Sequence, residues 1–534
     1  MSADPSRCHP GRPAPGRGAI DRPVPGRPLP AVRVVSGAAP EDATPVIARA
    51  AERGRAPRGR TDEVRVDVRE GRAVIAVELA DEPPRAGWAG TVDHGLGHRR
   101  VGAAVARHLR DARAAAPVVV DVPDTVSPDR VGDLVLGYLL GARGQDTFAA
   151  DPAPVAPELV VRVDTARAGT GAGRVTSGRS DRGAGSGHDD DTAATSDHVH
   201  RAVEGAREAA RATALARDLA GAPSDLKTPE WLVARMAELL GAAGMQTRIL
   251  EGAELEAGGF GGVLAVGGGS DAAARVLVAR RPGPGPRVLL VGKGITFDTG
   301  GISVKPAEGM HLMRTDMAGS AAVVAAAEAF CSAGSDPVRA DLDLTVVVPS
   351  AENMLSGSAY RPGDVVTHVG GITSEVTNTD AEGRMVLADG LAYGIAECDP
   401  DVVVDVATLT GAMKVALGMR TGAVMATDDD LAERIADAGA QAGERWWRLP
   451  LPDDLRPAVR SEIADRRQAP RGPGAITAAL FLEGFVDGRP WVHLDIAGPA
   501  RSPEEIDEVG PVATGFATRT LIGFLRDLAD RPRG

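Results

Sequence analysis

Beyond residue 199 the chain alternates two kinds of apolar pattern. Short, nearly continuous apolar runs at 246–250, 276–279, 288–291, 344–348, 375–377, 402–407 and 492–496 predict buried strands. Between them, helical spacing predicts helices from about 199 to 219, from Thr228 onward, over 320–330 and over 385–393. Such alternation predicts an α/β fold, a mainly parallel sheet covered by helices on both faces. A smaller α/β unit precedes it. There 64–68 and 74–77 read as strands joined by a Glu70-Gly71 turn. A helix over 101–115, a strand over 118–122 and a helix over 131–142 follow.

Two stretches carry no such pattern. Residues 1–60 mix Pro, Gly, Arg and Ala with too little apolar content for a core, which predicts a disordered Arg/Pro-rich arm. Residues 164–198 are mostly Gly, Ser, Thr, Arg and Asp and predict a flexible linker. The expected organisation is an arm over 1–60, a small N-terminal α/β domain over 61–163, the linker, and a catalytic domain over 199–534.

Composition narrows the function. A length of 534 residues exceeds what one core supports. A net charge of −13 argues against general nucleic-acid binding. Cys8, Cys331 and Cys398 are too few and scattered for a disulfide framework or zinc ribbon, which favours a reducing compartment. No run approaches the ~18 apolar residues of a membrane span. The N-terminal arginines are followed by no apolar signal core. A soluble cytoplasmic protein without membrane partners is expected.

The candidate chemistry sits at two strand ends. Asn378-Thr379-Asp380-Ala381-Glu382-Gly383-Arg384 follows one predicted strand and precedes a helix. Ligands bind at such points in open α/β sheets. In an extended segment Asp380, Glu382 and Arg384 would face one way. The strand over 288–291 ends in Gly292-Lys293-Gly294, and Asp298 and Lys305 follow. Asp316 lies at the mouth of the helix over 320–330. Four acids and three bases so placed suit a site for Mn, Mg or Zn, with a bridging carboxylate holding two ions about 4 Å apart. Structural salt bridges explain one pair but not the whole set. Gly292-Lys293 lacks the rest of a phosphate loop, and neither a His-Glu-x-x-His nor a Gly-x-Ser-x-Gly motif occurs. His94, His98 and His108 read as surface residues, and 189–191 beside His188 as a solvated charge run.

These residues carry a family resemblance. NTDAEGR (378–384), VGKGITFDTGGISVKP (291–306), TLTGA (408–412), GAITAALFL (474–482) and WVHLDIAG (491–498) resemble the leucyl, or cytosol, aminopeptidase family. The resemblance runs in order from about 199 to 528; residues 61–163 resemble that family's variable N-terminal domain only loosely. It implies two divalent ions per subunit, Mn2+ or Zn2+. One would be held by Lys293, Asp298, Asp316 and Glu382, the other by Asp298, Asp380, Glu382 and the Asp380 carbonyl. Lys305 and Arg384 match the family's catalytic residues, Lys305 for the developing oxyanion and Arg384 for a bicarbonate general base. Met313, Asn378, Thr408, Leu409, Gly411 and Ala497 match substrate-lining positions. The implied activity is release of leucine-like residues from peptides with a free N-terminus, by a homohexamer. Thr299 and Met385 replace the usual serine and leucine, conservatively. The alternatives are a DNA-binding or regulatory role on the same scaffold, which the arginines of the arm favour, and a different dimetal hydrolase such as a phosphoesterase.

Overall fold

The computed structural model describes residues 28–36, 44–46, 63–69, 72–78, 96–114, 117–122, 127–144, 154–163, 188–332 and 342–530. Its centre is a nine-stranded sheet. Along the sheet the order is Arg445–Arg448, Thr421–Ala426, Trp491–Asp495, Val402–Ala407, Arg287–Gly292, Asp343–Asn353, Arg275–Arg281 and Gln246–Glu251, with Gly294–Asp298 added to Asp343–Asn353. The four inner strands, Trp491–Asp495 through Asp343–Asn353, are mutually parallel. Antiparallel pairs occur towards the two sides. The sheet is therefore mixed and mostly parallel, an α/β fold as expected.

The inner strands read as apolar runs because both faces are covered. One face packs against Ala318–Ser332, Pro229–Ala242 and Thr518–Ala529. The other packs against Glu382–Cys398, Gly261–Gly267 and Gly474–Leu482. Ala318–Ser332 is mostly alanine and valine and is buried almost throughout, so small side chains set how near it lies to the strands. Near its start the helix practically touches Val406: a Cβ on Gly319 would meet the Val406 carbonyl oxygen at 2.1 Å. Thr228 caps Pro229–Ala242 by accepting from the Trp231 amide.

Several expectations need correction. Within 1–60, Val32–Ser36 and Thr44–Val46 are strands, joined in parallel to Leu159–Val163 and Val118–Val122. Averaging composition over sixty residues hid a short β-branched run. Residues 1–27, 37–43 and 47–60 of the expected arm lie outside the described residues. The helix ending at Gly221 begins at His188, inside the expected linker. Residues 164–187 and His94 lie outside the described residues. The strand before the NTDAEGR segment is Thr373–Glu375, and it belongs to a separate three-stranded sheet. In the nine-stranded sheet three strands, Gly294–Asp298, Thr421–Ala426 and Arg445–Arg448, were not anticipated, the first because its glycine and aspartate read as a loop.

Candidate metal centre

The inner parallel strands all end on one edge, and the polar residues that follow them converge there. Lys293 follows Arg287–Gly292, Thr408 follows Val402–Ala407, and Ala497 closely follows Trp491–Asp495. The Lys293 amide donates to the Val406 carbonyl at 3.0 Å, which locks the first two ends together. Glu382 opens the helix Glu382–Cys398, while Asp380 lies in the turn before it. The extended-segment expectation for Asp380, Glu382 and Arg384 is thus corrected. A turn and a helix start, not strand alternation, bring the two acids together.

The ion pairs define the centre. The Lys293 ammonium lies 2.9 Å from Asp316 Oδ2 and 2.7 Å from Glu382 Oε1, and donates to the Thr408 carbonyl at 3.0 Å. Lys305 lies 2.7 Å from Asp298 Oδ2 and also contacts Asp380. Asp298, Asp380 and Glu382 each offer an oxygen within 4.8 Å of the others. Arg384 donates to the Gln468 carbonyl at 2.8 Å, and among the described residues its Nε has no hydrogen-bond partner.

Burial shapes the charges. It pushes Asp316 up to about 6, against the pull of Lys293. It raises Asp298 well above the carboxylate range, helped by Glu382 and Asp316, and raises Asp380 as well. Burial acts upward on Glu382 too, but Lys293 and Lys305 outweigh it and hold this carboxyl low. Burial disfavours charge on both lysines, yet the carboxylates keep both above the ordinary lysine range. Arg384 is pulled down to about 10 by burial.

This donor set fits divalent ions. Ionising all four acids against two ammonium groups would leave the buried cluster short of positive charge, which is why three of the acids are pushed towards their neutral forms; cations would supply the missing charge. Asp316 Oδ2 and Asp380 Oδ1 are buried without an aligned hydrogen bond, although lysine ammonium groups lie beside both. Hard oxygen donors of this kind suit Mn, Mg or Zn. The histidines contribute nothing here. His368 lies between Asp389 at 2.8 Å and Ser374 at 2.9 Å, and His493 against Asp405 at 2.6 Å, all fully buried.

Thr408 donates to Asp316 Oδ1 at 2.8 Å, and Asn378 accepts from the Asp380 amide at 2.9 Å. The amides of Leu409 and Ala497 both donate to Asp495 Oδ1, at 3.0 and 3.1 Å. Met313 is half-buried in the turn before Asp316, and Gly411 starts an exposed-faced helix, Gly411–Leu417. Three residues went unnoticed in the sequence. Asn353 donates to Asp298 Oδ1 at 2.8 Å and to the Thr379 carbonyl at 3.0 Å. Gln468 accepts from the Thr377 and Asn378 amides and donates to the Ala381 carbonyl. Asp495 also accepts from the Thr410 hydroxyl at 2.7 Å. Asn353 and Asp495 are the last residues of inner strands, so the rule that found Lys293 points to them as well.

Known proteins share this fold. The profile of the cytosol aminopeptidase family, catalytic domain, matches residues 214–522. A probable cytosol aminopeptidase of Roseiflexus castenholzii is 46% identical over 62% of this chain and 68% of its own length. One from Syntrophotalea carbinolica is 45% identical over 61% of this chain and 65% of its own length. The aligned part therefore spans about two thirds of these relatives. The bottromycin maturation enzyme BotP, solved with Mn, superposes with a TM-score of 0.74 at 36% identity, covering 92% of this chain and 100% of BotP. A mutant tomato leucine aminopeptidase gives a TM-score of 0.74 at 25% identity, over 94% of this chain and 97% of its own. A chain whose strand ends carry these acids and lysines, and whose residues 214–522 match that catalytic domain, belongs to the cytosol aminopeptidase family.

Proposed function

We propose that this protein is a dimetal aminopeptidase that removes leucine-like residues from peptides with a free N-terminus. The observation that carries the reading is the convergence of Asp298, Asp316, Asp380 and Glu382 on Lys293 and Lys305 at one sheet edge. Lys293, Asp298, Asp316 and Glu382 would hold one divalent ion; Asp298, Asp380 with its carbonyl, and Glu382 would hold the other. Manganese is supported by its presence in the BotP structure, and zinc suits the same donors. When bound, the ions supply Lewis acidity and lower the pKa of water at neutral pH.

The chain supplies the rest. Lys305 is only part-buried, so its ammonium can turn from Asp380 towards the oxyanion that develops as the scissile carbonyl is attacked. Arg384, with an unpartnered Nε, would retain a bicarbonate that takes the proton from the attacking water. Met313, Asn378, Thr408, Leu409, Gly411 and Ala497 would line the pocket for the first side chain. A methylene more or less there discriminates by ~1–3 kcal/mol, which gives preference rather than exclusivity. The family resemblance favours a cytoplasmic homohexamer.

Hydrolysis of leucine p-nitroanilide by metal-stripped protein tests this, with Mn2+ or Zn2+ restored. Turnover is expected only with metal, and neither with Glu382→Ala nor on the N-acetylated substrate. Equal turnover by the stripped protein, or cleavage of the blocked substrate, would sink the reading.

A further inference from the structure

After Asp495 the chain leaves the metal centre and folds back, Arg501–Ser502 pairing with Val512–Ala513. A cavity of about 190 Å³ opens beside this turn, with Met419, Pro499, Ile506, Val509 and Phe516 among its apolar walls. Arg501 lines the same cavity and is half-buried, and burial lowers its pKa. Three acids also line it, and each is already engaged. Asp507 pairs with Arg100 at 3.0 Å and Arg420 at 3.6 Å. Glu508 pairs with Arg519 at 3.4 Å. Glu444 accepts through Oε2 from the Thr520 amide at 2.9 Å and hydroxyl at 2.7 Å, while its Oε1, without a hydrogen bond among the described residues, has Arg519 at 3.7 Å to offset its charge. Among the described residues, the Arg501 side chain has no hydrogen-bond or ion-pair partner, and the charge that favours its guanidinium from a distance is Asp316.

The turn beside the cavity is also held under strain. Asp507, which lines the cavity, and Val512, which follows it in the same turn, adopt φ of 54° and 65°, a region disfavoured for any side chain and most for a β-branched one. Contacts from elsewhere fix this geometry. Arg110 grips Glu505 through two bonds of 2.8 Å, Arg107 reaches the Asp507 carbonyl, and Arg217 donates to the Glu508 and Thr514 carbonyls. Strain maintained by so many contacts is typical of ligand-holding segments.

We propose that this cavity binds a small carboxylate with an apolar body, the carboxylate paired to Arg501 and the body resting on the apolar walls. A half-buried guanidinium without a partner has lost part of its hydration, and a carboxylate matches its planar fork through two hydrogen bonds. The volume falls below the ~300–1,000 Å³ of drug-sized sites, so the ligand is no larger than an amino-acid derivative. Two sources share this chemistry: the carboxyl end of a short peptide substrate and a free carboxylic acid. The peptide source rests on the aminopeptidase reading; the binding site does not.

Calorimetry on the full-length, metal-loaded protein with N-acetyl-leucine and with its amide separates the outcomes. The acid should bind and the amide should not. Arg501→Gln should weaken the acid at least about tenfold, with Arg501→Lys between them. If the Gln variant fails to melt cooperatively, Arg501→Lys carries the comparison. Hydrolysis then identifies the source. A KM raised by Arg501→Gln for Leu-Leu but not for Leu-Leu amide identifies the peptide terminus. Lost acid binding with unchanged hydrolysis, or with no hydrolysis by either protein, identifies the free acid. Undetectable acid binding, equal binding of acid and amide, or undiminished binding by folded arginine variants overturns the proposal.

Discussion

Gly383 shows how narrow the tolerances of the centre are. A Cβ built there would lie 2.7 Å from both Cε and Nζ of Lys293. That lysine cannot retreat, because Asp316, Glu382 and the Thr408 carbonyl hold its ammonium and it is buried. Gly383→Ala should therefore weaken metal binding by at least about tenfold while the chain stays folded, since the cost falls on one pinned side chain. Equilibrium dialysis against Mn2+, beside a thermal melt, checks this. Asp316 gives a second expectation. In the metal-free protein its proton is held up to about pH 6, whereas the unfolded chain releases it near 3.8. Its contribution to metal-free stability accordingly falls as pH rises through that window. An entering ion must displace the same proton, so metal affinity should drop at least about tenfold per unit below pH 6, and the protons that Asp298 and Lys293 must also give up steepen the fall. Titrations at pH 5 and 7 read this directly; a flat affinity would contradict it. At this scale the acids and lysines were legible in the sequence. Asn353, Gln468 and Asp495 were not, because their work is done through backbone amides and carbonyls that only the fold brings near.

The helix Glu382–Cys398 is the element that ties the centre to the core. Its first residue faces Lys293, while Asp389, two turns on, is fully buried. Asp389 accepts from the Val263 amide at 2.9 Å and the Val369 amide at 3.2 Å, and meets His368 at 2.8 Å. His368 in turn reaches Ser374 in the small sheet before the NTDAEGR segment. Replacing Asp389 by Ala strands these donors away from water. The expected loss is about 3 kcal/mol of stability, read as a lower urea midpoint at unchanged slope. The strands of the inner sheet were legible because two-sided burial makes them apolar throughout. Gly294–Asp298 was not. It pairs with Asp343–Asn353 through an irregular register between Ile295 and Asp298, and its residues follow no strand period.

In the whole molecule, the N-terminal helices and the catalytic part meet through arginines. Arg143 pairs with Asp218 at 2.7 Å, and Arg110 holds Glu505 through two bonds. A double-mutant cycle on Arg110→Ala and Glu505→Ala should give a coupling of about 1 kcal/mol, since the pair is bidentate yet Glu505 is partly exposed. Additive single mutants would show the contact to be incidental. The breaks in apolar patterning predicted two α/β units, but no contact between such units can be read from them, because an ion pair between residues nearly four hundred positions apart leaves no local trace.

Lys305 lies across Asp298 and Asp380, the two acids that an arriving ion would need. Considered in time rather than in space, this ammonium is a latch. Both contacts must open before the second ion can settle, so loading should be slow and should saturate as metal concentration rises. Two samples with identical metal content could then differ in activity simply because one has waited longer.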